Sequence, residues 1–440
     1  MIYFPRQIGS HLLLCFVTFN ILLAMFNMFT FRVSFQPSQP CSAVYMFPST
    51  PVVTYTTTNF TQYVTSGSSS SFNHSLPLLK NSSTVAKDQL KMEVRGNYVV
   101  INNYLSAELS PGVNESVTLT TQATLSFLHH AEPLCKHWDG PISLAVYAPN
   151  SDLLIVIDRI LQMRQCGHHC VKHNITWHLI YDTRFPPEND LKKIRTKIID
   201  CEAHDKIPSL RTSFRESHSL VYPINIARNV ARQNSATYFL MASDIELYPS
   251  LNIVSRFLNM IAKMGKDAYN KTVYVLPIFE VSKTVKPPTT KTELLNLINK
   301  KKAVFFHKFI CDLCQRFPGR DQWLKHVPVN NTLNIFTTTK RQHPLTSWEP
   351  IYIGTNREPS YDERLTWEGK QDKMSQMYEM CLLDYDISIL DSAFLVHAPG
   401  IKTIKNMDQK QRLPHIRKNN AIHKEILKDL KKKYGSNPKC

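Results

Sequence analysis

In the stretch "YFLMASDIELYPS" (Tyr238–Ser250), an apolar run ends in two carboxylates, Asp244 and Glu246. In an extended chain, residues i and i+2 point to the same side. A hard cation such as Mn²⁺ or Mg²⁺ takes oxygen ligands and keeps water or phosphate oxygens in its remaining positions. The pair could therefore hold a divalent metal, or simply face solvent in a loop. "FLVH" (Phe394–His397) reads as a strand ending in histidine. His397 is open to two readings, a third metal ligand and a structural imidazole.

Other groups with chemical potential lie on either side. In "YPINIARNVARQN", Asn225, Arg228, Asn229 and Arg232 recur at helical spacing, beside an apolar stripe of Ile224, Ala227, Val230 and Ala231. That polar stripe could face a nucleotide, with arginine reaching its phosphates, or could be ordinary helix surface. Trp348-Glu349 sets an aromatic beside an acid, a pattern suited to sugar stacking and equally to core packing. In "YDER", Asp362 and Glu363 are candidate general bases, with Glu349 behind them. Arg364 would pair with a bound anion or with Asp362 in a salt-bridged turn. Cys311-x-x-Cys314 has zinc-ligand spacing but no second pair, which favours a disulfide or free thiols.

The elements that must carry these residues alternate between strand and helix. "PISLAVYAP" (Pro141–Pro149), "ITWHLIYD" (Ile175–Asp182), the run before Asp244 and "TVYVLPIFEV" (Thr272–Val281) read as strands. Between them, helical spacing follows Ser151 or Asp152 as N-cap, recurs after Pro223, and recurs again near Leu251–Met264. This alternation predicts an α/β domain with a mixed, largely parallel sheet, whose ligands sit at the carboxyl ends of strands. It argues against an all-β adhesion ectodomain.

The chain has 440 residues, 43% hydrophobic, and a formal net charge of +17. That charge suits anionic partners. No zinc finger, RNA-binding signature or basic zipper is present, so nucleic acid is not among the expected partners. Gln7–Phe31 carries no Asp, Glu, Lys or Arg, and its length matches the roughly 20 residues that span a bilayer core. It reads as an uncleaved signal anchor in preference to a cleaved signal peptide, because no small-residue cleavage site follows it. The expected layout is a cytoplasmic tail and anchor (1–35), a Ser/Thr/Pro-rich stem (36–97), a catalytic domain (98–405) and a basic tail (406–440) that reads as a solvated helix and arm. Sequons at Asn59, Asn73, Asn81, Asn114, Asn174, Asn270 and Asn330, together with ten cysteines, fit a lumenal, oxidising setting.

"YPINIARNVARQNSATYFLMASDIELYPS", "WEPIYIG", "PSYDERL" and "DSAFLVH", in this order and spacing, resemble glycosyltransferase family 49, over roughly Cys135–Lys405. The family includes β-1,4-glucuronyltransferase and the C-terminal domain of LARGE-type enzymes. The resemblance implies a GT-A (Rossmann-like nucleotide-sugar) fold, a UDP-sugar donor, Mn²⁺ (with Mg²⁺ as substitute), a glycan or glycoprotein acceptor and a single-pass type II Golgi membrane protein. A homodimer is compatible with it. It puts Asp244 and Glu246 at the D-x-D positions and His397 at the family's metal-site histidine. Asn225, Arg228, Asn229 and Arg364 become donor-binding candidates, and Trp348 and Glu349 acceptor-binding candidates. The implied reaction is inverting transfer of glucuronic acid from UDP-glucuronic acid to a xylose-terminated chain. The chain departs from the family pattern at Glu246, which has one methylene more than Asp, and in "TWEGKQDK", a loose fit to an aromatic and glycine-rich segment. The alternatives are a silent lumenal glycan-binding protein that keeps the fold, and a transferase using another UDP-sugar.

Overall fold

The structure is a computed structural model that describes residues 90–187, 191–202, 212–326, 332–403 and 409–440. The expected anchor, the stem as far as residue 89, and the sequons at Asn59, Asn73, Asn81 and Asn330 lie outside the described residues, whereas residues 90–97, expected to end the stem, are described and carry a strand, Lys91–Arg95, paired into the main sheet. Among the described residues, no helix is long and apolar enough to cross a membrane. Asn114 and Asn270 are exposed and Asn174 is partly so.

The strands in chain order are β1 (Lys91–Arg95), β2 (Tyr98–Leu105), β3 (Val117–Thr124), β4 (Ile142–Tyr147), β5 (Ile175–Asp182), β6 (Phe239–Ala242), β7 (Leu247–Pro249), β8 (Thr272–Leu276), β9 (Ile278–Val281), β10 (Ala303–Phe305), β11 (Ile335–Thr339), β12 (Ile351–Gly354), β13 (Asp386–Leu390) and β14 (Leu395–His397). Ten of them form one mixed sheet, in the order β1-β2-β5-β4-β3-β6-β12-β8-β13-β11. Its centre, β5-β4-β3-β6, is parallel, as is β8-β13. The centre is apolar on both faces, as a sheet covered by helices requires. Leu119, Leu144, Val146 and Leu179 are fully buried on one side, and Ala145 and Ile180 on the other.

A second sheet, β10-β9-β14-β7, lies at the carboxyl edge of β6 and β8. It exists because two runs change sheet. "TVYVLPIFEV" reads as one strand, but Pro277 has no N–H to continue a ladder, and the chain passes from β8 in the first sheet to β9 in the second. "YFLMASDIELYPS" splits likewise into β6 and β7 around Asp244–Glu246.

Three helices matter most for the site. The first, α1 (Ser151–Cys166), is capped by Asn150, one residue before the expected caps. Asp152 is buried and instead accepts from the Phe214 and Arg215 backbone N–H groups. The second, α2 (Ile224–Gln233), covers β3 and β4, with Pro223 at its N-cap position. The last, α3 (Gln409–Tyr434), belongs to the stretch expected to be a solvated arm. It packs Ile426 and Leu430 on Leu365. Its Asn419 side chain bonds the main chain of Thr366 and Lys370, and Cys440 is bridged to Cys381. Further disulfides join Cys135 to Cys170, Cys166 to Cys201, and Cys311 to Cys314.

Candidate active site

The split of the opening stretch between two sheets builds the site. β6 runs parallel to β3 and stops at Ala242, so the turn Ser243–Glu246 emerges at the carboxyl end of the main sheet. β7 then pairs antiparallel with β14 in the register Leu247↔His397, and the Ala398 N–H donates to the Glu246 carbonyl (2.8 Å). That ladder, linking residues 150 apart in the chain, sets His397 beside Glu246, with Nε2 3.8 Å from Oε1. Asp244, Glu246 and His397 all face one cavity of about 550 Å³.

The two carboxylates meet different neighbours. Asp244 is engaged on both oxygens: Gln122 Nε2 (2.8 Å) and Arg228 (3.1 Å) donate to Oδ1, and Lys373 Nζ (2.8 Å) donates to Oδ2. Burial opposes its ionisation, but the charges of Lys373 and Arg228 outweigh this and hold its carboxyl well below the usual range. Glu246 is also kept ionised. Burial works against its charge, and the nearby His397 side chain offsets this and holds the carboxyl below its ordinary range. His397 donates from Nδ1 to the Ala398 carbonyl (2.7 Å), which turns Nε2 toward Glu246. That buried Nε2 has no hydrogen-bond partner. A ring that donates one N–H to a backbone carbonyl and turns its other nitrogen toward a carboxylate is oriented as a metal-binding histidine is. Among the described residues, no group of three or more His, Cys, Asp or Glu side chains stands ready for a metal. A cation would find Glu246 and His397 here and need other oxygens to complete its shell.

The remaining cavity wall is basic and aromatic. Lys373, Arg228, Lys402 and Arg215 line it, as do His130 and His307. Burial pushes both histidines down to about 4, so they are neutral near pH 7. Glu349 also lines the cavity. Its N–H donates to the Cys314 carbonyl (2.9 Å) and its carbonyl accepts from Gln315 (3.3 Å), so the Cys311–Cys314 hairpin holds this residue in place. Burial pushes the Glu349 carboxyl up.

Other sequence candidates lie elsewhere. Asp362 is bound by Arg364 through a two-pronged ion pair (2.9 and 2.7 Å), the salt-bridged turn. Glu363 accepts from Asn229 (2.9 Å) and pairs with Arg95 (3.1 Å). None of these three side chains lines the cavity. Trp348 is 1% exposed and packs near Phe317 in the core. The polar stripe of α2 is buried, and most of it clamps a loop. Asn225 donates to the carbonyls of Asp362 and Asp372 (both 2.8 Å), Asn229 to that of Tyr361 (2.8 Å), and Arg232 to those of Pro359 (2.9 Å) and Glu358 (3.1 Å). Within the stripe, Arg228 alone lines the cavity, bridging Asp244 and Asp372.

Lys373, Gln122, Lys402 and Trp367 were not singled out by sequence reasoning. Lys373 and Trp367 lie in "TWEGKQDK", the segment that fits the family pattern loosely. Gln122, inside an eight-residue strand buried throughout, gives no periodic signal.

The sequence profile described as "Glycosyl-transferase for dystroglycan" matches residues 116–435. The chain is 28% identical over 361 residues to zebrafish Beta-1,4-glucuronyltransferase 1, covering 78% of this chain and 81% of that one. It is 26% identical to the human protein of that name, over 79% and 82% of the two chains. It is 23% identical to human Xylosyl- and glucuronyltransferase LARGE1, over 81% of this chain and 42% of that one. A solved structure, GalNAc-T7 with UDP, GalNAc and Mn²⁺, aligns over 77% of this chain and 59% of that one, at a TM-score of 0.35 and 9% identity, too distant to carry an argument. With three quarters of its length in that profile and the motifs around Asp244, Trp348, Tyr361 and His397 in family order, the chain belongs to glycosyltransferase family 49.

Proposed function

We propose that the chain is a metal-dependent, inverting GT-A glycosyltransferase that moves glucuronic acid from UDP-glucuronic acid to a glycan acceptor ending in xylose. The observation that carries this reading is the unpartnered Nε2 of His397, buried beside Glu246 in a cavity that Lys373, Arg228 and Lys402 also line. A nucleoside diphosphate matches both halves. Its negative charge meets Lys373, Arg228 and Lys402, and its oxygens supply what Glu246 and His397 lack for a Mn²⁺ or Mg²⁺ shell. When bound, the metal supplies Lewis-acid neutralisation of the leaving diphosphate.

This chain's own residues have separable tasks. Glu246 and His397 hold the cation. Asp244 is engaged by three donors, and its part is to fix Lys373 and Arg228 at the cavity wall. Glu349 is the candidate base for the acceptor hydroxyl. It is the carboxylate in the cavity whose affinity for a proton is raised, as proton abstraction near neutral pH requires. Asp362 and Glu363 are engaged in holding the loop that carries Lys373. The extra methylene of Glu246 relative to Asp carries its carboxylate to within 3.8 Å of His397.

The names of the relatives favour glucuronic acid, and the disulfides fit a lumenal domain of the secretory pathway, in keeping with a Golgi type II layout. A thermal-shift screen of UDP-sugars with and without Mn²⁺ tests the reading. UDP-glucuronic acid should raise the melting temperature only with the metal. A flat response to every UDP-sugar would point to the silent glycan-binding alternative.

A further inference from the structure

The cavity has a second, aromatic end. Trp367 lines it and is 42% exposed, and Phe127 lines it and is 39% exposed. The chain neighbours of both engage two consecutive residues, Arg215 and Glu216. Ser126, next to Phe127, donates to Glu216 (2.7 Å), while Arg215 pairs with Glu368, next to Trp367. The indole is held in place from outside. The Arg412 guanidinium lies over the ring, 4.4 Å from its centroid, and also donates to the Trp367 and Glu368 carbonyls. The turn beneath it is rigid for a packing reason. A Cβ on Gly369 would lie 2.0 Å from the Asn419 side chain, so only glycine admits that side chain, which bonds the carbonyls of Thr366 (2.9 Å) and Lys370 (2.8 Å).

Single exposed hydrophobic side chains are common on protein surfaces. This one is unusual in lining the cavity that holds Glu246, His397 and Glu349, in being fixed by a separate helix, and in sharing the cavity mouth with a second aromatic. With Arg412 over the ring, Trp367 still keeps 42% of its surface exposed. A pyranose presents its axial C–H groups as an apolar, slightly positive face, which suits the negative face of an indole. Its hydroxyls would find the charged groups of Arg215 and Glu216 beside the ring.

We infer that Trp367, with Phe127 at the same mouth, is the stacking platform for the terminal pyranose of the acceptor, and that α3 exists in part to position it. The inference rests on the transferase reading in that the acceptor must enter this cavity, but not on the identity of the donor.

Saturation-transfer NMR with methyl β-xylopyranoside, glucopyranoside, galactopyranoside and glucuronide, in the presence of UDP and Mn²⁺, tests it directly. At least one pyranoside should receive saturation through its axial protons with the wild-type protein. Trp367→Ala should cut that signal about tenfold, and Trp367→Phe should restore part of it. The ligand-free melting temperature reports whether each variant folds, and Arg412→Ala, which frees the ring without removing it, should weaken the signal if Trp367→Ala does not fold. Absence of any pyranoside signal in the wild type would overturn the proposal, as would an unchanged signal in the variants. A tenfold loss of UDP affinity in Trp367→Ala would also overturn it, by placing the ring under the nucleotide. Failure of UDP-glucuronic acid in the thermal-shift screen, with pyranoside binding intact, would refute the donor and leave the platform standing.

Discussion

Asp244–Glu246 and Asp362–Glu363 are both acid pairs that residue type and spacing mark for chemistry, and the tertiary structure separates them at one residue, Glu246, since Asp244 is engaged by three donors as the second pair is by its own. The first pair ends a central strand inside a cavity, where Glu246 faces a histidine nitrogen with no other partner. The second lies on the loop clamped by α2, with both Asp362 oxygens engaged by Arg364 and Glu363 Oε1 by Arg95 and Asn229. A buried polar atom without a partner carries an unmet cost, and a ligand can meet it. A carboxylate already matched by arginine and amide donors has a structural task. This contrast is what supports the proposal that Glu246 and His397 would hold a metal and that Glu349, and not the second pair, is the base.

Four substitutions can break or sharpen that comparison. Glu246→Ala should have the largest effect, lowering transfer about 10³-fold and removing the Mn²⁺-dependent thermal shift with UDP, since Lewis-acid neutralisation is worth several kcal/mol. A variant that kept its metal response would move the cation site elsewhere. Glu349→Gln should lower kcat about 10²-fold while UDP affinity holds. The pH profile should agree. A base must be ionised, and burial raises the Glu349 carboxyl, so wild-type kcat/KM should fall as pH drops through a midpoint above the ordinary glutamate value. A profile flat into the acid range would remove Glu349 from the role. Asn225→Ala tests the clamp. It strips two main-chain carbonyls, of Asp362 and Asp372, of their donor, and should cost about 2 kcal/mol of stability in urea unfolding. A neutral result would mean the loop stands without α2. Glu363→Gln should have the smallest effect, within about 1 kcal/mol, because its ion pair is partly exposed. A 10²-fold fall in its kcat would restore Glu363 as the base and erase the contrast.

Much of the scaffold was legible beforehand. Short continuous apolar runs bounded by turn residues marked β4, β5 and β6, and helical spacing marked α1 and α2, because these signals are local. The expectation for "TVYVLPIFEV" missed the change of sheet at Pro277, since one apolar run looks the same whether it joins one ladder or two. The polar stripe of α2 was visible, but its target was not. The same spacing would serve a nucleotide or the carbonyls of residues 358–372. Trp348 and Trp367 show the same limit, because one lies in the core and the other on the cavity rim, and tryptophan type alone does not distinguish them.

The sequence by itself determined the α/β class, the strand that runs out just before Asp244, the family motifs in order, and a cysteine content suited to an oxidising compartment. These follow from short-range periodicity and from residue chemistry, which a linear string contains. Only the tertiary structure decided which side chains share the cavity. The β7–β14 register brought His397 to Glu246, the α2 clamp carried Lys373 to Asp244, and α3 fixed Trp367 at the mouth. Those contacts join residues far apart in the chain, and the loop-closure entropy that opposes them is offset by burial and hydrogen bonding spread over the whole fold.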